Sequence, residues 1–338
     1  MTVSVLVTGA GSAIGKGHIL SLRKSALKLK IVATDIIKEA SGLYYADTAY
    51  IIPSVSDESN LLQALRTICQ KERIKIIIVG STQELDFFIK YRQSLEKDLD
   101  LHVIMNSPDV IRIGRDKWTT GEFLRKNNFY FAESTPILSQ RHLRKFVDRI
   151  GFPLIAKPRN GAGSKGVCLV KNQRQLNGML PIPPNYILQE YIPEDHGEYT
   201  AGAISGLDGC LLHVLILKRH LQFGMTFRAE PVFNAELTDY CKTVVEALGS
   251  CGPCNLQLRI KNNNPVIFEI NPRFSSSTYM RTLLGANEPE MIIRYTLFQQ
   301  RPGRIAIKKG VVLREFADRF ISTAEQRSIK ELNSFELR

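Results

Sequence analysis

The chain has 338 residues, 44% of them hydrophobic and 23% charged, with a formal net charge of +12; this is the make-up of a folded protein with room for two or three cores, not of a disordered or fibrous one. No apolar run approaches the roughly eighteen residues a bilayer crossing needs, and the N-terminus runs straight into a strand pattern without a basic leader, so the expectation is a cytoplasmic enzyme with no membrane partner. The basic residues are spread along the chain without an arginine-rich tail or interleaved aromatics, which disfavours nucleic acid and favours a solvated surface plus a pocket for anionic small molecules.

The first hundred residues alternate strand and helix patterns: strands over 3–7, 29–34, 74–79 and 101–105, with helices running to about residue 24, over 59–71 and over 84–94. Alternation with short connections predicts a parallel sheet covered on both faces. Gly9-x-Gly11-x-x-x-Gly15 falls between the first strand and the first helix, and Asp35 ends the next strand. The spacing has the look of a dinucleotide fingerprint. It serves equally well as a turn that lets a strand and a helix meet closely with no ligand. A Tyr-x-x-x-Lys pair, as an NAD-dependent epimerase would need, is missing: the spacing from Tyr186 and Tyr199 reaches Glu190 and Ala203. Asn106-Ser107-Pro108-Asp109 reads as a turn and a boundary, ending a first domain over 1–107.

From Lys117 the texture changes. Helix patterns over 118–126 and 143–150 precede a strand over 154–157, a glycine-rich loop over 158–165 and a strand over 166–170. Pro181-Ile182-Pro183-Pro184 marks a second boundary, giving a unit over 108–186. The block over 187–300 holds mostly strands and one amphipathic helix, with Leu237, Cys241, Val244, Val245 and Leu248 on a single face. Cys251 and Cys254 form a C-x-x-C with no second pair or histidines at metal-binding spacing, and read as small residues at the start of a strand. Residues 301–338 are polar and basic and carry no functional reading.

The chemistry concentrates in two strands, 255–260 and 266–270, joined by the turn Asn262-Asn263-Asn264-Pro265. Residues two apart on a strand share a face. Glu269 and Asn271 therefore present two oxygen donors side by side, Arg273 is expected to continue the row, and Gln257 on the neighbouring strand adds a third oxygen. A hard, oxygen-rich set with few protein ligands suits Mg²⁺, which keeps waters and is completed by substrate phosphates. Arg273 would then neutralise charge on a phosphoryl group in transfer.

Glu269-Ile270-Asn271-Pro272-Arg273, preceded by Asn255-Leu256-Gln257, resembles the metal-binding signature of the ATP-grasp superfamily, and among its members the sequence is most similar to the large chain of carbamoyl-phosphate synthase. The resemblance runs to about Gln300. It implies an α/β and α+β protein: a Rossmann-like (pre-ATP-grasp) parallel-sheet domain, then a two-lobed ATP-grasp domain with a small lobe over 108–186, a large lobe over 187–300 and an extension over 301–338. It implies ATP with one or two Mg²⁺ (or Mn²⁺) ions held by Gln257, Glu269 and Asn271. Lys117 and Lys157 resemble the two phosphate-contacting lysines, and Gly161, Gly163 and Gly166 the loop that closes over the phosphates. Gln189, Glu190, Tyr191 and Ile192 resemble the hinge that pairs with adenine. Glu198 resembles the ribose-binding carboxylate, and Arg219 the basic residue near the γ-phosphate, so that Arg273, Arg219 and Lys157 form the catalytic set.

The reaction so implied activates a carboxylate with ATP and passes the acyl group to an amine or a thiol, with small-molecule carboxylate and amine substrates, in surface polysaccharide or natural-product biosynthesis; a homodimer stays open. Carbamoyl-phosphate synthesis itself is disfavoured, because it uses two such units in one long chain. Two polar stretches, 81–84 and 275–278, are the expected substrate contacts. The alternatives are an NAD(P)-dependent epimerase or reductase working at the N-terminal glycines, and a nucleotide-binding module without catalysis.

Overall fold

In the computed structural model, which describes residues 2–137, 139–161, 165–179, 183, 185–195 and 197–332, the expected alternation appears in order: β1 (Val3–Val7), α1 (Ala13–Arg23), β2 (Leu29–Asp35), β3 (Thr48–Ile51), α2 (Glu58–Glu72), β4 (Ile74–Ile78), α3 (Leu85–Leu99) and β5 (His102–Ile104). The central strands are Val- and Ile-rich and buried on both faces, so their side chains feed two cores, one on each side of the sheet. The strands pair in parallel in the order β3-β2-β1-β4-β5.

The expected turn at 106–109 is a helix start. Ser107 caps α4 (Pro108–Arg115) through its hydroxyl, and Pro108 occupies the first turn, where its missing N–H costs nothing. Asn106 is fully buried and uses its whole amide: Nδ2 donates to the carbonyls of Pro253 (2.7 Å) and Pro272 (3.1 Å), while Oδ1 accepts from the Ser250 hydroxyl and the Cys251 N–H, both at 2.9 Å. This one side chain ties the end of the first domain to the segment that bears the metal-binding signature. Cys251 and Cys254 are both free thiols, and burial lifts that of Cys254 to about 12.

Next come α5 (Lys117–Lys126), β6 (Ser134–Pro136), α6 (Gln140–Ile150), β7 (Leu154–Pro158), β8 (Cys168–Val170), α7 (Gln173–Gly178) and β9 (Tyr186–Glu190). A four-stranded antiparallel sheet runs β6-β9-β7-β8. Two assignments shift from the sequence reading. The strand β9 belongs to this small sheet and not to the large lobe that follows 187, and Val110 of α4 and Leu124 of α5 pack into the core of the large sheet beside Leu256, Ile267 and Ile270.

That large sheet contains β10 (Glu198–Ser205), β11 (Leu211–Gln222), β12 (Met225–Pro231), β13 (Pro253–Lys261) and β14 (Asn264–Asn271), in the order β14-β13-β10-β11-β12, with α8 (Ala235–Ala247) inserted before β13. The apolar face of α8 packs as its spacing predicts. Beyond β14, α9 (Thr278–Leu283) and α10 (Glu288–Phe298) lie against α1, with Phe274, Ile292 and Ile293 completing the core under the first sheet.

The extension after 300 adds a strand to each of the two larger sheets. β15 (Val312–Leu313) pairs with β12, and after α11 (Thr323–Ser328), β16 (Lys330–Glu331) adds a parallel strand beside β3. Lys330 and Lys30 both reach the buried Glu72, which also accepts from the Tyr50 hydroxyl. Burial pushes the Glu72 carboxyl up, but these three donors outweigh it and hold it near 2.

Candidate active site

A cavity of about 390 Å³ opens between the small sheet and the large one. Its lining includes Lys117, Lys157, Gly161, Gln189, Glu190, Tyr191, Ile192, Glu198, Gln257 and Glu269, so residues read from scattered motifs meet in one place. Ile155, Val167, Leu169, Leu221 and Phe268 add apolar walls, and Asn160, Lys165, Glu194 and Arg259 add polar ones.

The register of β13 and β14 sets the centre. Gln257 stands opposite Glu269, and Asn255 opposite Asn271. Leu258 then pairs with Ile267, leaving Phe268 as the extra residue of a β-bulge. A bulge re-aims the side chains beside it, and here both Phe268 and its neighbour Glu269 reach the cavity. Among the described residues the Glu269 carboxylate has no hydrogen-bond or ion-pair partner, although Lys157 and Arg273 are near enough to feel its charge.

Lys157, on β7, is buried; burial lowers its ammonium to about 8, against the pull of Glu269, and its Nζ donates to the Phe268 carbonyl at 3.3 Å. Lys117 opens α5 and donates from Nζ to the Gly161 carbonyl at 3.2 Å. The sequence reading missed the device that brings these lysines together. Asp116 accepts the Trp118 N–H at 2.9 Å to cap α5, and its carboxylate takes the Arg159 guanidinium (Nη2–Oδ2 2.5 Å), while Arg159 in turn accepts the Lys117 N–H on its carbonyl at 3.0 Å. The start of α5 is thereby bolted to the end of β7.

Three expectations change. Arg273 does not continue the row: β14 ends at Asn271, Pro272 supplies no N–H, and the chain turns. The half-buried Arg273 guanidinium donates to the Phe274 carbonyl (2.8 Å) and the Asn271 amide oxygen (3.2 Å), beside a small void shared with Ser81 and Met105. Neither Asn271 nor Arg273 lines the main cavity. Arg219 and Glu198, read as separate ligand contacts, are paired: they stand opposite each other on β11 and β10, and Arg219 Nη2 donates to Glu198 Oε1 at 2.6 Å and to Gln257 Oε1 at 2.8 Å. Gly166 passes beside the Tyr186 hydroxyl, which a Cβ there would meet at 2.6 Å, and does not line the cavity; Gly163 lies outside the described residues.

At the hinge, the Glu190 side chain is held by Lys261 and by the Glu133 N–H at 3.2 Å. Arg259, also unanticipated, donates to the Ile192 carbonyl and to Glu198 Oε2 at 2.6 and 2.7 Å. The signal was there, since Arg259 sits two residues beyond Gln257 on the same strand and so shares its face.

The expected substrate stretches are folded inward. Glu84 accepts from the Thr8 hydroxyl at 2.6 Å and the Ser81 N–H at 3.2 Å, and burial raises its carboxyl to about 7. Ser275 and Ser277 accept from the buried Arg281 guanidinium, whose Nε is paired with Glu288 at 2.5 Å. At the N-terminal turn, Asp35 accepts the Gly11 N–H at 2.7 Å, and a Cβ on Gly15 would sit 2.2 Å from the Gly9 carbonyl oxygen. The turn's own packing is therefore enough to account for the glycine at 15 without a ligand.

Comparison with known proteins agrees with this architecture. Residues 114–277 match the model of an ATP-grasp domain, and residues 5–104 that of a PylC-like N-terminal domain. The formate-dependent phosphoribosylglycinamide formyltransferase of Bacteroides fragilis is 25% identical over 88% of this chain and 78% of its own. The large chain of carbamoyl phosphate synthase from Methanoregula boonei is 20% identical over 80% of this chain but only 28% of its own. In fold, N5-carboxyaminoimidazole synthetase from Staphylococcus aureus, solved with ADP, superposes with a TM-score of 0.72 at 17% identity, covering 90% of this chain and 80% of that one. The L-amino acid ligase of Bacillus licheniformis gives 0.62 at 16% identity, covering 88% and 74%. The chain belongs to the ATP-grasp superfamily. It is an ATP-dependent ligase with the fold expected from the sequence, a parallel-sheet domain followed by a two-lobed ATP-grasp unit.

Proposed function

We propose that the cavity between the two sheets binds ATP and that the enzyme uses it to join a small carboxylic acid to an amine. The observation that carries this reading is the convergence of Gln257 and Glu269, paired across the bulge, with Lys117 and Lys157 in one cavity. The donor set is hard oxygen from amide and carboxylate groups, and among the described residues no trio of His, Cys, Asp or Glu exists that could hold a softer metal. That chemistry fits Mg²⁺, which Gln257 and Glu269, the two of the three expected ligands that line the cavity, would hold. The ion would neutralise phosphate charge.

This chain's own residues do the rest. Lys117 and Lys157 place two positive charges, both buried, where a triphosphate would develop charge on transfer; a dry, fixed field is what phosphoryl transfer requires. The Ile155, Val167, Leu169 and Phe268 side chains suit the faces of a planar base beside the hinge Gln189–Ile192. In the proposed reaction a carboxylate oxygen attacks the γ-phosphorus, the bond to the bridging oxygen breaks and ADP leaves. The nucleophile then attacks the acyl carbon, and inorganic phosphate departs with the bonding pair while the amine proton goes to solvent or to phosphate. The names of the relatives, formate-dependent formyl transfer and amino acid ligation among them, support a small acid.

The test is a screen of formate, amino acids, amino sugars and uronic acids for ADP release, with hydroxylamine present to trap the acyl phosphate as a hydroxamate. At least one acid is expected to yield both ADP and hydroxamate in equal amounts. ADP release without any trapped acyl group, across acids that are consumed, would overturn the acyl-phosphate route.

A further inference from the structure

The extension after 300, which the sequence leaves without a functional reading, sends one side chain to both halves of the metal-facing pair. β15 adds to the edge of β12, and the Arg314 N–H prolongs the ladder by donating to the Phe227 carbonyl at 2.7 Å. With its backbone so fixed, the half-buried Arg314 guanidinium bridges two carbonyls. Nε donates to that of Thr226 at 2.8 Å, and Nη2 to that of Ser276 at 2.7 Å.

Each of these carbonyls leads to one of the residues read as holding the ion. Thr226 is buried, and its hydroxyl accepts Arg219 Nη1 at 3.3 Å; Arg219 Nη2 in turn donates to Gln257 Oε1 at 2.8 Å. Ser276 lies in the loop that leaves β14 just past Glu269 and Asn271, and its neighbours Ser275 and Ser277 are gripped by the buried Arg281. One fork from the extension therefore braces Gln257 through Arg219, and Glu269 through the loop. Groups standing behind metal ligands fix the ligands' orientation, and losing one weakens metal binding by about ten- to a hundredfold.

We infer that Arg314 is a positioning residue that holds Gln257 and Glu269 at the separation a divalent cation needs, which makes the extension a working part of the ATP-grasp unit. The inference rests on the reading of those two residues as the metal holders. Arginine suits the place because its planar fork serves two carbonyls together; lysine, a single point charge, holds one of them.

The experiment titrates Mn²⁺ into the full-length enzyme saturated with ATP, and into Arg314→Gln and Arg314→Lys. Free Mn²⁺ is read from its EPR signal, with chelation by unbound ATP measured separately. Calorimetry with ATP in EDTA gives the metal-free nucleotide affinity, and thermal unfolding serves as the fold control. In Arg314→Gln the Kd for Mn²⁺ should rise about tenfold while that for metal-free ATP changes less than about twofold, and Arg314→Lys should fall between that variant and the parent. An unchanged Mn²⁺ affinity in folded Arg314→Gln, or an equal loss for Mn²⁺ and metal-free ATP, would overturn the inference while leaving the metal holders in place. A parental enzyme that takes up no Mn²⁺ beyond what ATP itself chelates would overturn the metal reading along with it. Should Arg314→Gln unfold, the lysine variant decides alone: parental Mn²⁺ affinity in that folded protein rejects the role.

Discussion

Two glycine-rich turns lie between strand and helix or strand and strand in this molecule, and they are used in opposite ways. At the first, Gly15 has no room: a Cβ would lie 2.2 Å from the Gly9 carbonyl oxygen, and nearby Gly80 would strike the Thr8 carbonyl at 2.0 Å. The turn is sealed by its own packing, by Asp35 on the Gly11 N–H and by Glu84 beneath it. At the second, Gly161 adopts φ +139° with nothing within 4 Å of the Cβ position, borders the cavity and accepts the Lys117 ammonium on its carbonyl. Glycine content alone therefore does not mark a phosphate loop. What distinguishes the two is whether the missing side chain is replaced by the protein's own backbone or by open space.

The sharpest way to break this comparison is to remove the chemistry at the second turn's partner. Glu269→Ala should cut acid-dependent ADP release by about a thousandfold, ~4 kcal/mol of barrier, without moving the unfolding midpoint; parental turnover in that variant would sink the metal assignment. Next in size, Gly15→Ala should cost about 3 kcal/mol of stability by forcing the strand and helix apart, read as a shift in the urea midpoint, and an unperturbed midpoint would show that the turn is looser than drawn. A ligand test follows: Mg-ATP at a hundred times its Kd should stabilise the protein by about 2.7 kcal/mol, near 4 °C in Tm. NAD(P) at equal concentration should leave the Tm unmoved, and the reverse result would put the ligand at the first turn.

The smallest expected effect concerns Glu84 under the first turn. Its carboxyl is raised from 4.5 to about 7 by burial, so the folded state favours the protonated form. The stability it supports is complete below about pH 4.5 and is lost as pH rises through about 7. Glu84→Gln should flatten the fall in stability between those values, measured by urea unfolding at pH 5, 6, 7 and 8; a slope equal to the parental one would show that the group ionises freely. Glu72 has the opposite sign. Held near 2, it stabilises the fold above about pH 4.5, and that contribution is lost as pH falls through about 2, loosening the tail strand β16.

Much of the candidate site was legible from order alone: Lys117, Lys157, the hinge, Glu198, Gln257 and Glu269 all border one cavity. Arg273 was misplaced because period-two reasoning holds only while the strand lasts, and Pro272 ends it. Arg259 obeyed the same period and was passed over, because an arginine on a strand carries no chemical signature until its partners are known. The Asp116–Arg159 link was invisible for the same reason, its members being 43 positions apart.

What the amino-acid order determined by itself was everything set by local pattern: the apolar alternation that makes the parallel sheet, the amphipathic face of α8, and the paired oxygens two apart on β14. Only the tertiary structure decided which charges face the cavity and which neutralise one another. Arg219, Glu198, Asp35, Gly11 and Ser275 all looked available in one dimension. Burial forces each polar group to find a partner, and distance in space, which sequence does not record, chooses it.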